Sequence, residues 1–296
     1  MTRSDNLPPQ TALAVMDTAA YDSLLKRVAR SFQLSLRILP AKIRPILSLA
    51  YMLARASDTI ADASNVPDFQ RLALLKALPD FFPEKCPDLQ LQGYEKDLLD
   101  RLPDLLLALK ELPDAQDIVD VWRIILKGQI FDIERFSRPD QETTSEPLSP
   151  EELEEYTYLV AGSVGEFWTR ICFKYIPDYS HKTLEELLPV ARRFGQALQM
   201  VNILRDRRAD AEIGRIYVPD QRFYIEMEHV KELLSSGDEY TAAIRPRALR
   251  AACALPLDLA RRTLELVAYH PLGQGVKVPK YMVWIVFARA FFQFPK

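Results

Sequence analysis

The chain has 296 residues, 48% hydrophobic and 27% charged, which excludes wholesale disorder and supplies ample material for a core. Its 38 Lys and Arg against 41 Asp and Glu give a net charge of −3, so there is no global positive field and no nucleic-acid partner is expected. With 9 glycines and neither GxxxxGK(S/T) nor GxGxxG, a P-loop and a Rossmann fingerprint are excluded.

The first ten residues, MTRSDNLPPQ, are polar and carry no secretory signal, and 1–17 is read as a flexible segment. Between prolines the apolar residues then recur with helical spacing, which predicts helices over 18–38, 43–64, 67–78, 94–111 and 115–137. A polar loop follows from Ser137 to Ser149. Ser149-Pro150-Glu151-Glu152 starts the next helix, with serine as cap, proline at the first helical position and Glu152 completing a capping box. That helix is predicted to run to about Tyr175, followed by 183–210, 221–235, one or two helices over 239–269 interrupted by Pro246 and Pro256, and 279–293. Tyr281 to Phe294 is too short to span a bilayer, which takes about 20 apolar residues. It is read as a buried terminal helix, and amphipathic helices of this kind also make peripheral membrane contacts. No strand alternation and no repeat is visible, so a single all-α domain over 1–296 is expected.

Cys86, Cys172 and Cys253, like His181, His229 and His270, are scattered without CxxC or HExxH spacing. Free thiols in a reducing, cytoplasmic setting and no zinc site are expected. Two other segments carry the candidate chemistry. In the first, Tyr51 to Asp62, the carboxylates of Asp58 and Asp62 share a helix face with Arg55 and Tyr51. In the second, Gln199 to Asp210, Asn202, Asp206 and Asp210 step by four along one face, with Arg205 beside them and Arg215, Tyr217 and Pro219 following. Acid pairs four apart arise by chance and most are solvated surface. Here Ala54, Ala56 and Ala61 surround the first pair on an otherwise apolar helix, and like charges at this spacing repel, which calls for a cation. Carboxylates suit Mg²⁺, which keeps several waters and is often shared with substrate phosphates. Two helices presenting such pairs would hold a diphosphate, with arginines as further donors. No general base or nucleophile is conspicuous, in keeping with a reaction driven by departure of a leaving group. The adjacent Arg207 and Arg208 read as a solvated face.

These residues resemble those of the squalene/phytoene synthase family, the head-to-head prenyl transferases. Arg30-Ser31-Phe32 is similar to the family's SRSF-like stretch, and Arg55 to Asp62 to its first aspartate motif, in the DTxxD form of squalene synthases. Tyr156 with Val160 to Gly165 resembles YxxxVAGxVG, and Gln199 to Pro219 resembles the second motif, QxxNxxRDxxxDxxxGRxYxP. The resemblance covers about 29–285. The acids that often precede the last aspartate of each motif are Ala61 and Ala209 here, which implies a less negative metal site.

The resemblance implies a helical bundle of the isoprenoid synthase type around an apolar cavity. It implies condensation of two farnesyl diphosphates through presqualene diphosphate to squalene, with Mg²⁺ and NADPH. By it, Asp58, Asp62, Asp206 and Asp210 bind Mg²⁺, supported by Asn202 and Gln199. Arg30, Ser31, Tyr51, Arg55, Arg205 and Arg215 serve the diphosphate, and Tyr156 assists the first half-reaction, its alternative being a packed tyrosine with a satisfied hydroxyl. Lys277 and Lys280 are candidates for the phosphates of NADPH. Phe131, Phe167 and Trp168 either shield a carbocation or are plain core, and Gly128 either admits a prenyl chain or a neighbouring helix. Cys253-Ala254-Leu255-Pro256 is similar to a CAxP segment of squalene synthases. A phytoene or dehydrosqualene synthase, an enzyme stopping at presqualene diphosphate, and a helical assembly factor remain as alternatives. A monomer is expected.

Overall fold

The helices predicted between prolines are the regular elements of the protein. The computed structural model describes residues 18–29, 32–63, 65–80, 89, 91–136 and 146–269. Among them every regular element is helical, and β structure is confined to an isolated bridge between Ser180 and Ile244. The segments 1–17, 279–293 and most of the 137–149 loop lie outside the described residues, as do Arg30, Ser31, Cys86, His270, Lys277 and Lys280. No helix among the described residues is long and apolar enough to cross a membrane.

The backbone groups into two compact units, one of Met1–Gln33 with Ala41–Ile130 and one of Leu34–Pro40 with Phe131–Lys296. The first holds α1 (Thr18–Val28), α3 (Arg44–Ala61), α4 (Asp68–Ala77), α5 (Gly93–Asp100), α6 (Leu102–Glu111) and most of α7 (Ala115–Phe136). Helix α3 is its centre and packs on α1, α4, α5 and α6. It buries Ile46, Leu49, Met52, Leu53, Ala56 and Ile60 along its length. The indole N–H of Trp122 on α7 donates to Ser57 Oγ on α3 at 3.1 Å, deep in this core.

Two predicted rods are divided. The segment 18–38 is α1 and α2 (Phe32–Arg37), and the buried Leu34 and Leu36 of α2 belong to the second unit. The segment 94–111 breaks at Arg101, because Pro103 lacks the N–H for a continuous ladder and its ring crowds the carbonyl four residues back. Proline instead takes its favoured place in the first turn of α6.

The second unit holds α8 (Pro150–Thr157), a π-helical turn (Tyr158–Gly162), α9 (Ser163–Tyr175), α10 (Leu184–Glu212), α11 (Phe223–Ala243) and α12 (Arg247–Tyr269). Helix α10 packs against all the others. The predicted Ser149 capping box is present in full, and Thr183 with Glu186 makes a second at the start of α10. Helix α11 runs eight residues beyond its predicted end at 235, through Ser235, Ser236 and Gly237. Gly237 is held there by packing: a Cβ on it would lie 2.6 Å from Leu257 and 2.9 Å from Phe194. Pro246 precedes α12 as predicted, whereas Pro256 lies inside it without ending it. Its buried neighbours Cys253, Leu255 and Leu257 supply the packing that outweighs a missing ladder bond.

Candidate active site

The first aspartate pair sits where α3 ends, with Asp62 itself as C-cap. The second lies in the final turns of α10, which closes at Glu212. Neither helix has a basic residue in its last turn. Each pair therefore faces the negative end of a helix dipole as well as its own repulsion.

Each pair is attended by an arginine of its own helix. Arg55 forms an ion pair with Asp58 and reaches Glu95 of α5 at 3.4 Å. Burial lowers the proton affinity of Arg55, but the charges of Asp58, Tyr51 and Asp62 outweigh it, and the pKa ends above its ordinary value. In the second motif Arg205 grips Asp206 through two nitrogens, with Nε at 2.9 Å. That hydrogen bond, with the charges of Asp206 and Asp210 against a smaller effect of burial, holds the Arg205 pKa above its ordinary value. Asp58 and Asp206 remain 42% and 39% exposed, so their oxygens stay accessible to a solvent cation.

The neighbouring polar groups are also fixed. Tyr51 Oη donates to the Val28 carbonyl at 3.3 Å, and its ring lies 5.3 Å from that of Phe32. Asn202 donates to Gln199 Oε1 at 3.4 Å. The buried Arg71 of α4 donates to the Ala61 carbonyl and pairs with Asp68, so it satisfies an orphan carbonyl beside Asp62.

The exit from α10 explains the Gly214-Arg215 step. Gly214 has φ +85°, its N–H bonds the Ala211 carbonyl at 3.0 Å, and the Arg215 N–H bonds the Asp210 carbonyl at 2.8 Å. This is a Schellman closure, which needs a residue in the left-handed region and turns the chain back over the last aspartate. Arg215 then places Nε 3.3 Å from Asp132 on α7, and Tyr217 Oη donates to the other oxygen of that buried carboxylate. The loop before α8 is tied to the same strand of chain, Leu148 N–H to Ile216 O at 3.1 Å.

Tyr156 is buried on α8, and its ring stacks on Tyr217 with centroids 5.2 Å apart and planes at 23°. Phe131 lies 6.2 Å from Tyr156, and Phe136 meets Tyr217 edge-on at 5.2 Å. Burial, then the proximity of Tyr156 and Asp132, pushes the Tyr217 pKa far above the phenol range. The VAGSVG segment serves packing here. A Cβ on Gly165 would lie 2.3 Å from the Ala191 carbonyl, and one on Gly195 2.3 Å from that of Ala161. The π turn and α9 thus lie with their backbones against α10, which fixes the helix carrying Asn202, Asp206 and Asp210.

One expectation is corrected. Arg207 is not part of a solvated face: its side chain is 10% exposed, lies 4.6 Å from the Phe223 ring and pairs with Asp220. Burial and the charge of Arg208 lower its pKa. Phe167 is buried among the core residues, and Trp168 buries its indole N–H beside the Cys253 thiol. Cys172 and Cys253 are free and buried. Sequence reasoning missed Asp132 and Glu95. Asp132 carried one visible signal, a lone acid in the apolar run Ile130 to Ile133.

No group of three or more His, Cys, Asp and Glu side chains converges among the described residues. Each site thus offers two carboxylates at a negative helix end. Such hard, anionic oxygen pairs suit a magnesium ion that takes its remaining ligands from water and a substrate's phosphate oxygens.

The comparisons with known proteins give the family and the fold. A family profile described as squalene/phytoene synthase matches residues 25–226. The chain belongs to the squalene/phytoene synthase family. It is 30% identical over 267 residues to a bifunctional lycopene cyclase/phytoene synthase of Colletotrichum graminicola, an alignment covering 82% of this chain and 41% of that protein. It is 24% identical over 284 residues to a squalene synthase of Gibberella zeae, covering 86% of this chain and 60% of the relative. This chain thus spans less than half of the first relative's length. The fold is that of the solved structure of TcSQS with the ligand E5700, at a TM-score of 0.76 and 20% identity, covering 94% of this chain and 86% of that one.

Proposed function

We propose that this chain joins two molecules of farnesyl diphosphate head to head, through presqualene diphosphate, and reduces the product to squalene. The observation that carries the reading is the pair of carboxylate motifs at helix C-termini, each with an arginine already on its first aspartate. Asp58, Asp62, Asp206 and Asp210, with Asn202, would hold Mg²⁺. The ion would neutralise the diphosphate and so make it a better leaving group. Arg55, Arg205 and Arg215, with Tyr51, Gln199, Arg30 and Ser31, bind diphosphate oxygens. When the substrate arrives, Arg55 and Arg205 exchange part of their contact with aspartate for phosphate, so the arginines are charged and oriented beforehand.

In the first half-reaction the carbon–oxygen bond of one substrate breaks and its electrons leave with diphosphate. The allylic cation is captured by the double bond of the second substrate, and loss of a proton closes the cyclopropane. The aromatic faces of Phe131, Tyr156 and Tyr217 favour a cation over water at that stage, and the Tyr156 hydroxyl assists the proton transfer. NADPH would supply the hydride of the second half-reaction, with Lys277 and Lys280, outside the described residues, on its phosphates. A monomer in peripheral contact with the cytoplasmic face of a membrane suits so apolar a product.

A second reading, a phytoene or dehydrosqualene synthase without the reduction, is favoured by the 30% identity to a protein with phytoene synthase activity in its name. Product analysis separates the two. The purified chain is incubated with farnesyl diphosphate and Mg²⁺, with and without NADPH, and extracts are examined by mass spectrometry before and after phosphatase. Squalene formed only with NADPH supports the first reading. Dehydrosqualene in both samples, or phytoene from geranylgeranyl diphosphate, supports the second. Presqualene alcohol alone after phosphatase means the reaction stops at the first half, and no product from either substrate defeats both.

A further inference from the structure

The buried carboxylate of Asp132 belongs to neither aspartate motif, and the metal reading does not use it. It is 6% exposed and lies on α7, 83 and 85 positions from the two side chains it holds. One oxygen meets Arg215 Nε at 3.3 Å, and the other accepts from Tyr217 Oη. Contact at Nε restrains the planar guanidinium beside the carboxylate. Tyr217, fixed by the same carboxylate, is the surface on which Tyr156 stacks. A buried anion is costly unless paired and hydrogen-bonded, and here both requirements are met by residues of the second motif's tail.

We infer that Asp132 is a positioning residue. It fixes Arg215 for the departing diphosphate and, through Tyr217, the ring of Tyr156 for the cation, so that one carboxylate aligns both ends of the ionisation step. The inference rests on the proposed reading of Arg215 and Tyr156. It makes a specific demand: the two arms must fail separately. Tyr217→Phe cuts the arm to Tyr156 and leaves the Arg215 contact. Arg215→Gln cuts the other. Asp132→Asn weakens both, because an amide must turn its oxygen to Arg215 and can only donate to Tyr217.

The test combines calorimetric binding of inorganic pyrophosphate in the presence of Mg²⁺ with single-turnover formation of presqualene diphosphate. Thermal melting controls for folding. Asp132→Asn should weaken pyrophosphate binding and slow the turnover, each by roughly tenfold to a hundredfold. Tyr217→Phe should slow the turnover by about tenfold with pyrophosphate affinity unchanged. In the double variant Asp132→Asn with Arg215→Gln, pyrophosphate should bind no more weakly than with Arg215→Gln alone, since Asp132 acts through Arg215.

Additive losses in the double variant would overturn the inference. So would variants that melt earlier yet bind and turn over as the parent does, since Asp132 would then serve the fold alone. Should Asp132→Asn not fold, Tyr217→Phe decides, and an unchanged turnover rate counts against the idea. A parent chain that binds pyrophosphate but makes no presqualene diphosphate would instead refute the proposed reaction, which keeps the two failures distinct.

Discussion

Asp206 and Asp220 each pair with an arginine of the same stretch of α10, yet the physical meaning of the two pairs differs. Asp206 shares its site with Asp210 at the negative end of a helix, where charge is concentrated and a cation is wanted. Asp220 is 81% exposed, and its partner Arg207 is held mainly by burial against Phe223. Asp206→Asn is therefore expected to lower the rate of diphosphate ionisation by on the order of a hundredfold while leaving the fold intact. Asp220→Asn should leave the rate unchanged and shift stability by less than about 0.5 kcal/mol, as exposed ion pairs do. Steady-state kinetics and a urea titration of both variants check the contrast, and equal kinetic effects would remove the distinction.

At the scale of the elements, the position of α10 depends on what is missing from its neighbours. Gly195 faces the Ala161 carbonyl and Gly165 the Ala191 carbonyl, each so closely that a methyl group would lie 2.3 Å from oxygen. Alanine at 195 gains helix propensity of about 1 kcal/mol over glycine in an isolated helix. Here the backbone clash reverses the sign, and Gly195→Ala is expected to destabilise by about 1–3 kcal/mol. Because the π turn that must shift follows directly on α8 and Tyr156, this variant should also lose turnover in its folded fraction. Ser149→Ala makes a useful comparison: loss of the cap costs about 1 kcal/mol, with turnover unaffected once the protein is folded. Urea midpoints and kinetics on the two variants test the pairing, and an unchanged midpoint in Gly195→Ala would contradict it.

For the molecule as a whole, the pH dependence of stability on the alkaline side follows from its buried hydroxyls and thiols. Burial pushes the Cys172 thiol up to about 12 from an ordinary 9.0, and pushes Cys253, Tyr21, Tyr179, Tyr217 and Tyr240 upward as well. In the unfolded chain these groups release protons near 9 for the thiols and near 10 for the phenols. Between those values and the higher folded ones the unfolded state holds fewer protons, so stability falls as pH rises. The contribution is complete below about pH 9 and is lost progressively towards about pH 12. Urea midpoints should stay level up to about pH 9 and then decline, and a level profile to about pH 11 would refute this.

Ligand linkage tests the proposed metal at the same scale. Mg²⁺ and pyrophosphate together, at about a hundred times the dissociation constant, should stabilise by about 2.7 kcal/mol, a rise of several degrees in Tm. Either alone should do less, because two carboxylates per site leave most of the coordination shell to water and phosphate. Chelation by EDTA should abolish both the shift and the activity, and added Mg²⁺ should restore them. A shift by pyrophosphate that survives EDTA would argue against a magnesium-held diphosphate.

The features legible before any coordinates were local ones. The two aspartate pairs, the serine cap at 149 and the existence of most helices depend on residues within one or two turns of each other, where spacing alone fixes geometry. The family resemblance was legible for the same reason, since its motifs lie on such short runs. What could not be read were outcomes of competition between distant parts of the chain. Pro256 stays inside a helix and α11 runs through Ser236 and Gly237 because packing overrides propensity. The π turn exists beside a glycine on another helix. Arg207 turns inward because Phe223 lies there to cover it. The partnership of Asp132 with Arg215 and Tyr217 joins groups more than eighty positions apart, and a pair at that separation leaves no periodic trace. Short-range order follows from backbone geometry, whereas the environment of a buried charge follows from which surfaces the folded chain brings against it.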